Sequence, residues 1–242
     1  MRTRVSFVLA GIDAAIVDIV PLLVRRWREL AFADDGVLVV DGGRREGLAV
    51  EAGTHPAAGT RYSLVTVGER AGHFDIELVE DGDSVFAARI EQRGDVPIEF
   101  ELTKPARRAV LRFAGEVDGP WPIGGHVSGD ARIDLDRLPG DGDPPVVMSI
   151  EHPRLVGDLR AFVRAVDGGW QVDVDVHLRG NGIHRVVLAP VIMFVGRRAV
   201  RDLIDKVAGE LDAVVQGLDP VKAADRVARR FLDSVARYRI QT

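Results

Sequence analysis

A chain of 242 residues with 46% hydrophobic residues holds enough apolar mass for a substantial core, which excludes global disorder. Its net charge of −5 argues against a general nucleic-acid binder, because such proteins carry a cationic surplus that displaces phosphate counterions. The absence of cysteine excludes disulfides, thiolate metal ligands and a cysteine nucleophile, and it fits a reducing cytoplasm, the expected compartment.

At the N-terminus, Met1, Arg2, Thr3 and Arg4 followed by residues 5–12 imitate the basic and apolar parts of an export signal. Asp13 and Asp18 break the apolar run and no small-residue cleavage site precedes them, so the segment reads as part of the fold, with a short strand over Val5–Leu9. Residues 13–30 read as helix: Ile16, Val17, Val20, Leu23, Val24, Trp27 and Leu30 recur at helical spacing. Pro21 inside that pattern predicts a kink or two short helices meeting there.

From Gly36 to Arg179 the period changes to two. The alternation predicts strands over 37–40, 47–51, 62–69, 74–80, 85–92, 98–103, 110–117, 131–137, 146–151, 159–166 and 170–178. Turn signals separate most of them, among them Asp41-Gly42-Gly43, Asp81-Gly82-Asp83 and Asp167-Gly168-Gly169. Strands joined by such short turns are antiparallel neighbours. Residues 118–125 and 139–145 read as loops, and the alternation resumes after each, so one domain over 1–242 is expected.

Two amphipathic helices close the chain. In the first, over 188–216, Val200, Leu203, Ile204, Val207, Leu211, Val214 and Val215 form one stripe. In the second, over 220–238, Val221, Ala224, Val227, Ala228, Phe231, Leu232, Val235 and Tyr238 share a face. Asp219 followed by Pro220 supplies an N-cap and a first-turn proline. The fold class is therefore α+β: a curved antiparallel sheet with an N-terminal helical segment, a strand-rich body over 36–179 and C-terminal helices over 188–239.

No catalytic motif stands out. Asp173, Asp175 and His177 share one face of a strand, as do Asp134 and Asp136 on another. Neighbouring strands would let them hold a hard cation, but alternation with Val172, Val174, Val176 and Leu178 places the charged set in water, and no metal site or cofactor is expected. No serine stands in a nucleophile elbow. The segment 183–195 is nearly free of charge and is followed by Gly196-Arg197-Arg198. It reads as a buried start to the helix, with pocket lining or contact with a membrane surface as alternatives.

The stretch from Trp170 to Val215 resembles the end of a START-like (SRPBCC, helix-grip, Bet v 1-like) domain. The matching residues are Val172, Val174, Val176, Leu178, Arg179, Gly180, Arg185, the Leu188-Ala189-Pro190 segment, Arg197, Arg198, Leu203, Leu211 and Val214. The strand count exceeds the minimal seven, and a second helix follows the usual terminal one. An extended TULIP-type lipid-binding fold is the rival architecture. The resemblance implies binding of an apolar small molecule between helix and sheet, and some relatives are polyketide cyclases or aromatases; no catalytic residue carries over.

The expected function is binding or carriage of a lipid or other hydrophobic molecule. Leu188, Ile192, Met193, Leu203, Ile204 and Val207 are expected to line the cavity, with His184 at its mouth. A cyclase or hydrolase in the same cavity is the alternative, with His184 or His126 as its titratable group. A third reading is an interaction module, or a homo-oligomer, docking through Phe231, Leu232 and Tyr238.

Overall fold

The computed structural model describes residues 2–10, 17–68, 71–92, 97–103, 107–117, 124–140, 142–181, 202, 206, 209 and 219–236. Its body is one antiparallel sheet of thirteen strands. In chain order these are β1 (Arg2–Ala10), β2 (Ala31–Phe32), β3 (Val37–Val40), β4 (Gly43–Ala52), β5 (Arg61–Thr66), β6 (Gly72–Asp81) and β7 (Val85–Gln92), then β8 (Ile98–Thr103), β9 (Arg108–Val117), β10 (Gly125–Asp134), β11 (Val146–His152), β12 (Leu155–Val166) and β13 (Gly169–Gly180). Helix α1 (Ile19–Arg28) follows β1, and helix α2 (Pro220–Ser234) follows the strands. From β2 to β13 each strand pairs with its successor, and β1 lies beside β13.

The turn chemistry explains the meander. Asp41 and Gly42 both take positive φ, 51° and 74°, and close a two-residue hairpin in which Val40 faces Gly43. Charge then reinforces the register on the outer face. Arg61 stands opposite Glu77, Glu77 opposite Arg89, Arg89 opposite Glu99, Glu99 opposite Arg112 and Arg112 opposite Asp130. This row alternates in sign across six strands, and each opposed pair contributes ~0.2–1 kcal/mol.

The sheet is strongly curled. Laid flat, thirteen strands at ~4.8 Å spacing would spread over ~58 Å, whereas α1, ten residues long, measures ~15 Å. Yet α1 reaches three cores. Ile19, Leu22 and Leu23 join Val5 and Leu9 of β1, Val163 of β12 and Val172 to Val176 of β13. Val20 and Val24 pack with Leu102 and Ala109 of β8 and β9. Trp27 and Leu30 pack with Leu38, Leu48, Tyr62 and Leu78 of β3 to β6. A single short helix meets both ends and the middle of the sheet only if the sheet wraps around it.

Helix α2 ties the same two ends together. Ala223 and Ala224 sit in the β1–β13 core, whereas Phe231, Leu232 and Val235 sit in the β3–β6 core. Arg26 of α1 meets Asp225 of α2 at 2.8 Å. After α2 the chain turns extended. Gly47 N–H donates to the Ala236 carbonyl at 2.8 Å, and Ala236 N–H donates to the Val65 carbonyl at 2.9 Å.

Several expectations need correction. Pro21 makes no break: the helix starts at Ile19, so Pro21 falls in the first turn, where amides have no intrahelical acceptor. The second C-terminal helix ends at Ser234 rather than 238, because Val235 and Ala236 are drawn into pairing with β4 and β5. Its buried stripe is centred on Ala223 and Ala224, while Val221 is 49% exposed. The strand expected over 131–137 runs over Gly125–Asp134 and gives way to a 3-10 turn at Leu135–Arg137. Strand β2 was not expected. Most of the helix expected over 188–216 lies outside the described residues; Asp202, Lys206 and Gly209 within it are helical and exposed. Among the described residues no helix is long and apolar enough to cross a membrane.

Candidate functional site

The concave face of β8–β13 is built from three transverse rows fixed by register. The row nearest α1 runs Leu102, Ala109, Ile133, Val146, Ala161, Val174, and α1 covers its β8–β9 end. Two residues further along each strand lies the row Phe100, Leu111, Ala131, Met148, Leu159, Val176. The third row is Ile98, Phe113, Gly129, Ile150, Gly157, Leu178. Side chains two apart share a face, so all three rows point into the hollow. Leu111, Phe113, Met148 and Ile150 remain partly exposed, and Ile98 is 41% exposed.

Two glycines set the depth of this wall. A Cβ on Gly129 would stand 2.6 Å from a Phe113 ring carbon, and one on Gly157 would stand 2.8 Å from Leu178 Cδ2. Phe113 and Leu178 thus lie flat over the missing side chains. The result is a shallow apolar floor instead of an interlocked core.

Towards α1 the floor ends in a cleft of about 210 Å³. Val24, Val85, Phe86 and Leu102 line it, and Arg25, Arg28 and Ser84 form its lip. Arg28 is held in place: Nε donates to Asp81 Oδ1 at 2.7 Å and Nη2 donates to the Gly82 carbonyl at 2.9 Å.

Behind this lip lies a cluster that sequence reasoning missed. His55 Nδ1 and the Tyr62 hydroxyl are 2.8 Å apart, enclosed by Trp27 and Phe32. Burial pushes the Tyr62 phenol up to about 12 and lowers the His55 imidazole below its usual 6.5. The four rings come from α1, β2, the 53–60 loop and β5, so no local pattern announces them.

The expected site residues fare differently. Leu188, Ile192, Met193, Leu203, Ile204, Val207 and His184 lie outside the described residues, as does Tyr238. His126 has a half-exposed side chain and faces Glu116 at 3.4 Å on the outer face, away from the hollow. Phe231 and Leu232 pack inside the chain, which engages the face proposed for a partner.

Asp134 ends β10 and Asp136 falls in the 3-10 turn after it, so the two share no strand face; Asp173, Asp175 and His177 lie on β13, with β11 and β12 between. Arginines take their carboxylates: Asp175 accepts from Arg4, Asp173 from Arg164 and Ser6, and Asp134 faces Arg108 and Arg137. Among the described residues no three metal-ligating side chains converge. Ser63, His73 and Asp75 come together on the outer face, but Ser63 Oγ at 3.0 Å and Asp75 Oδ1 at 3.9 Å approach the same His73 nitrogen, Nε2. A nucleophilic triad needs its carboxylate on the opposite nitrogen.

No family model matches the chain, and no curated protein matches it. Among solved structures it is similar to the crystal structure of the di-domain ARO/CYC StfQ from the steffimycin biosynthetic pathway, with a TM-score of 0.24 and 7% identity over 95% of this chain and 99% of that one. It is also similar to DynU16 from the dynemicin biosynthetic locus, with a TM-score of 0.19 and 12% identity over 94% of this chain and 99% of that one.

Proposed function

We propose that this chain binds an apolar small molecule or a lipid acyl group in the hollow of its curled sheet, acting as a carrier or sensor. One observation carries the reading: the two outer transverse rows of β8–β13 are apolar throughout and include partly exposed Leu111, Phe113, Met148 and Ile150. Such a surface gains ~25 cal/mol for each Å² removed from water, and an apolar ligand supplies that burial. The cleft lip at Arg25, Arg28 and Ser84 offers the few polar groups that orient a bound molecule.

A cyclase or hydrolase would need a titratable group facing the ligand. None of the twelve positions in those two rows is titratable, so such a group would have to come from elsewhere around the hollow. Native mass spectrometry after incubation with a mixed lipid extract tests the reading. Retained ligand is expected, and Met148→Gln or Leu111→Asn should weaken binding about 5- to 10-fold, the loss of roughly 50 Å² of apolar contact. A clean unliganded mass with every lipid class would overturn it.

A further inference from the structure

Three elements meet at His55: the last turn of α1 through Trp27, β2 through Phe32 and β5 through Tyr62. Their ring centroids stand 5.6, 4.7 and 5.8 Å from the imidazole. Nδ1 is tied to the Tyr62 hydroxyl. Nε2 is sealed from solvent and makes no close hydrogen bond; the Trp27 and Arg28 backbones favour the protonated ring, but burial outweighs them. Tyr62 is 1% exposed and keeps its proton, so the hydroxyl donates and a neutral imidazole accepts. From α1 the site sees the Arg28 guanidinium, and from β6 it sees Asp81; these two are paired at 2.6 Å. From β5 it sees the Tyr62 phenol, from the 53–60 loop the Thr60 hydroxyl, and from β2 the Phe32 ring.

We propose that His55 is an acid-sensitive latch whose protonation frees the last turn of α1 and the 53–60 loop from β5, and with them one wall of the cleft. A proton on Nδ1 turns the acceptor into a donor. The Tyr62 O–H then loses its acceptor inside a buried site, and a cation stands among three aromatic rings. Opening lets water solvate the imidazolium and the phenol together. The closed state therefore binds this proton more weakly than the open state, and falling pH favours opening. The cleft follows because Arg28, next to Trp27 in sequence, holds Asp81 and the Gly82 carbonyl, and Arg28 and Gly82 both line it.

Amide hydrogen exchange on the full chain, corrected for intrinsic rates, tests this between about pH 7.5 and about pH 5.0. Peptides over 19–32 and 53–62 are expected to exchange about 10-fold faster at the lower pH, while β12 and β13 stay unchanged. His55→Phe should abolish the acid step. Tyr62→Phe should raise exchange in both peptides at neutral pH and shrink the step. The proposal fails if His55→Phe keeps the step, if the wild type shows none, or if exchange rises equally across the chain. Should His55→Phe not fold, NMR titration of the wild-type imidazole decides: a folded-state pKa at or above 6.5 overturns the latch.

Discussion

Gly47 and Ala236 meet backbone to backbone, and a Cβ on Gly47 would stand 2.5 Å from the Ala236 nitrogen and 2.7 Å from both the Ala236 and Val65 carbonyl oxygens. The segment after α2 thus occupies a slot that a glycine in β4 leaves open. All three obstructing atoms are main chain, so none can rotate aside. Gly47→Ala is expected to destabilise the chain by ~2 kcal/mol or more and to detach the segment after α2. Urea unfolding, with proteolysis mapped around residue 236, would register both effects.

The outer charge row gives a second expectation. Arg89 stands between Glu77 and Glu99, so Arg89→Glu places three carboxylates abreast. A loss of ~1 kcal/mol is expected, shrinking in high salt because these groups are exposed. Arg89→Gln should cost less. Thermal denaturation of both variants at low and high ionic strength would check the order.

The two glycines of the concave floor should respond unequally. A Cβ on Gly129 would lie 2.3 Å from the Ser149 carbonyl oxygen, which belongs to the paired backbone of β11. On Gly157 it meets only the movable end of Leu178. Gly129→Ala is expected to destabilise markedly. Gly157→Ala should fold and push Leu178 into the hollow, lowering lipid retention in native mass spectra with little change in melting temperature.

Strand β1 has a built-in acid sensitivity. Hydrogen bonds from Ser6, then from Arg164 and Gln171, hold the Asp173 carboxyl below its usual range, and those from Arg4 do the same for Asp175. Both pKa values are lower folded than unfolded, so their contribution is complete above about pH 4 and vanishes as pH falls through the folded values. Below that range β1 should fray from β13 before the sheet centre opens. Exchange of residues 2–10 measured down to about pH 3 would show it, and Asp175→Asn should reproduce part of the effect at neutral pH.

Asp219 caps α2, its Oδ1 accepting from Lys222 N–H at 3.0 Å. Asp219→Ala is expected to destabilise the first turn of α2, since it removes the acceptor for the Lys222 amide. Because α2 bridges both ends of the curl, helical circular dichroism and whole-chain unfolding should decline together rather than in separate steps.

Much of the scaffold was legible locally. Alternation places Val172, Val174 and Val176 inward and Asp173, Asp175 and His177 outward on β13, as observed. The Asp41-Gly42 turn and the Asp219 cap are likewise statements about adjacent residues. The first half of β10 was illegible, since Gly125, Ser128, Gly129 and Asp130 have little strand preference and are held by β9 and β11 on either side. Pro21 was misread because its effect depends on which turn of the helix it occupies.

What the sequence determined by itself was periodicity: most of the strands of the meander, the helices around Ile19–Arg28 and Pro220–Ser234, and which side of each alternating strand is apolar, because those follow from spacing along the backbone. What only the tertiary structure decided was proximity. That a ten-residue helix touches both ends of a thirteen-stranded sheet, that His55 meets Tyr62 and Trp27, and that Gly129 and Gly157 leave a floor instead of a packed core all depend on the curl. The curl is the sum of small twists over many strand pairs, and no short window of residues carries that sum.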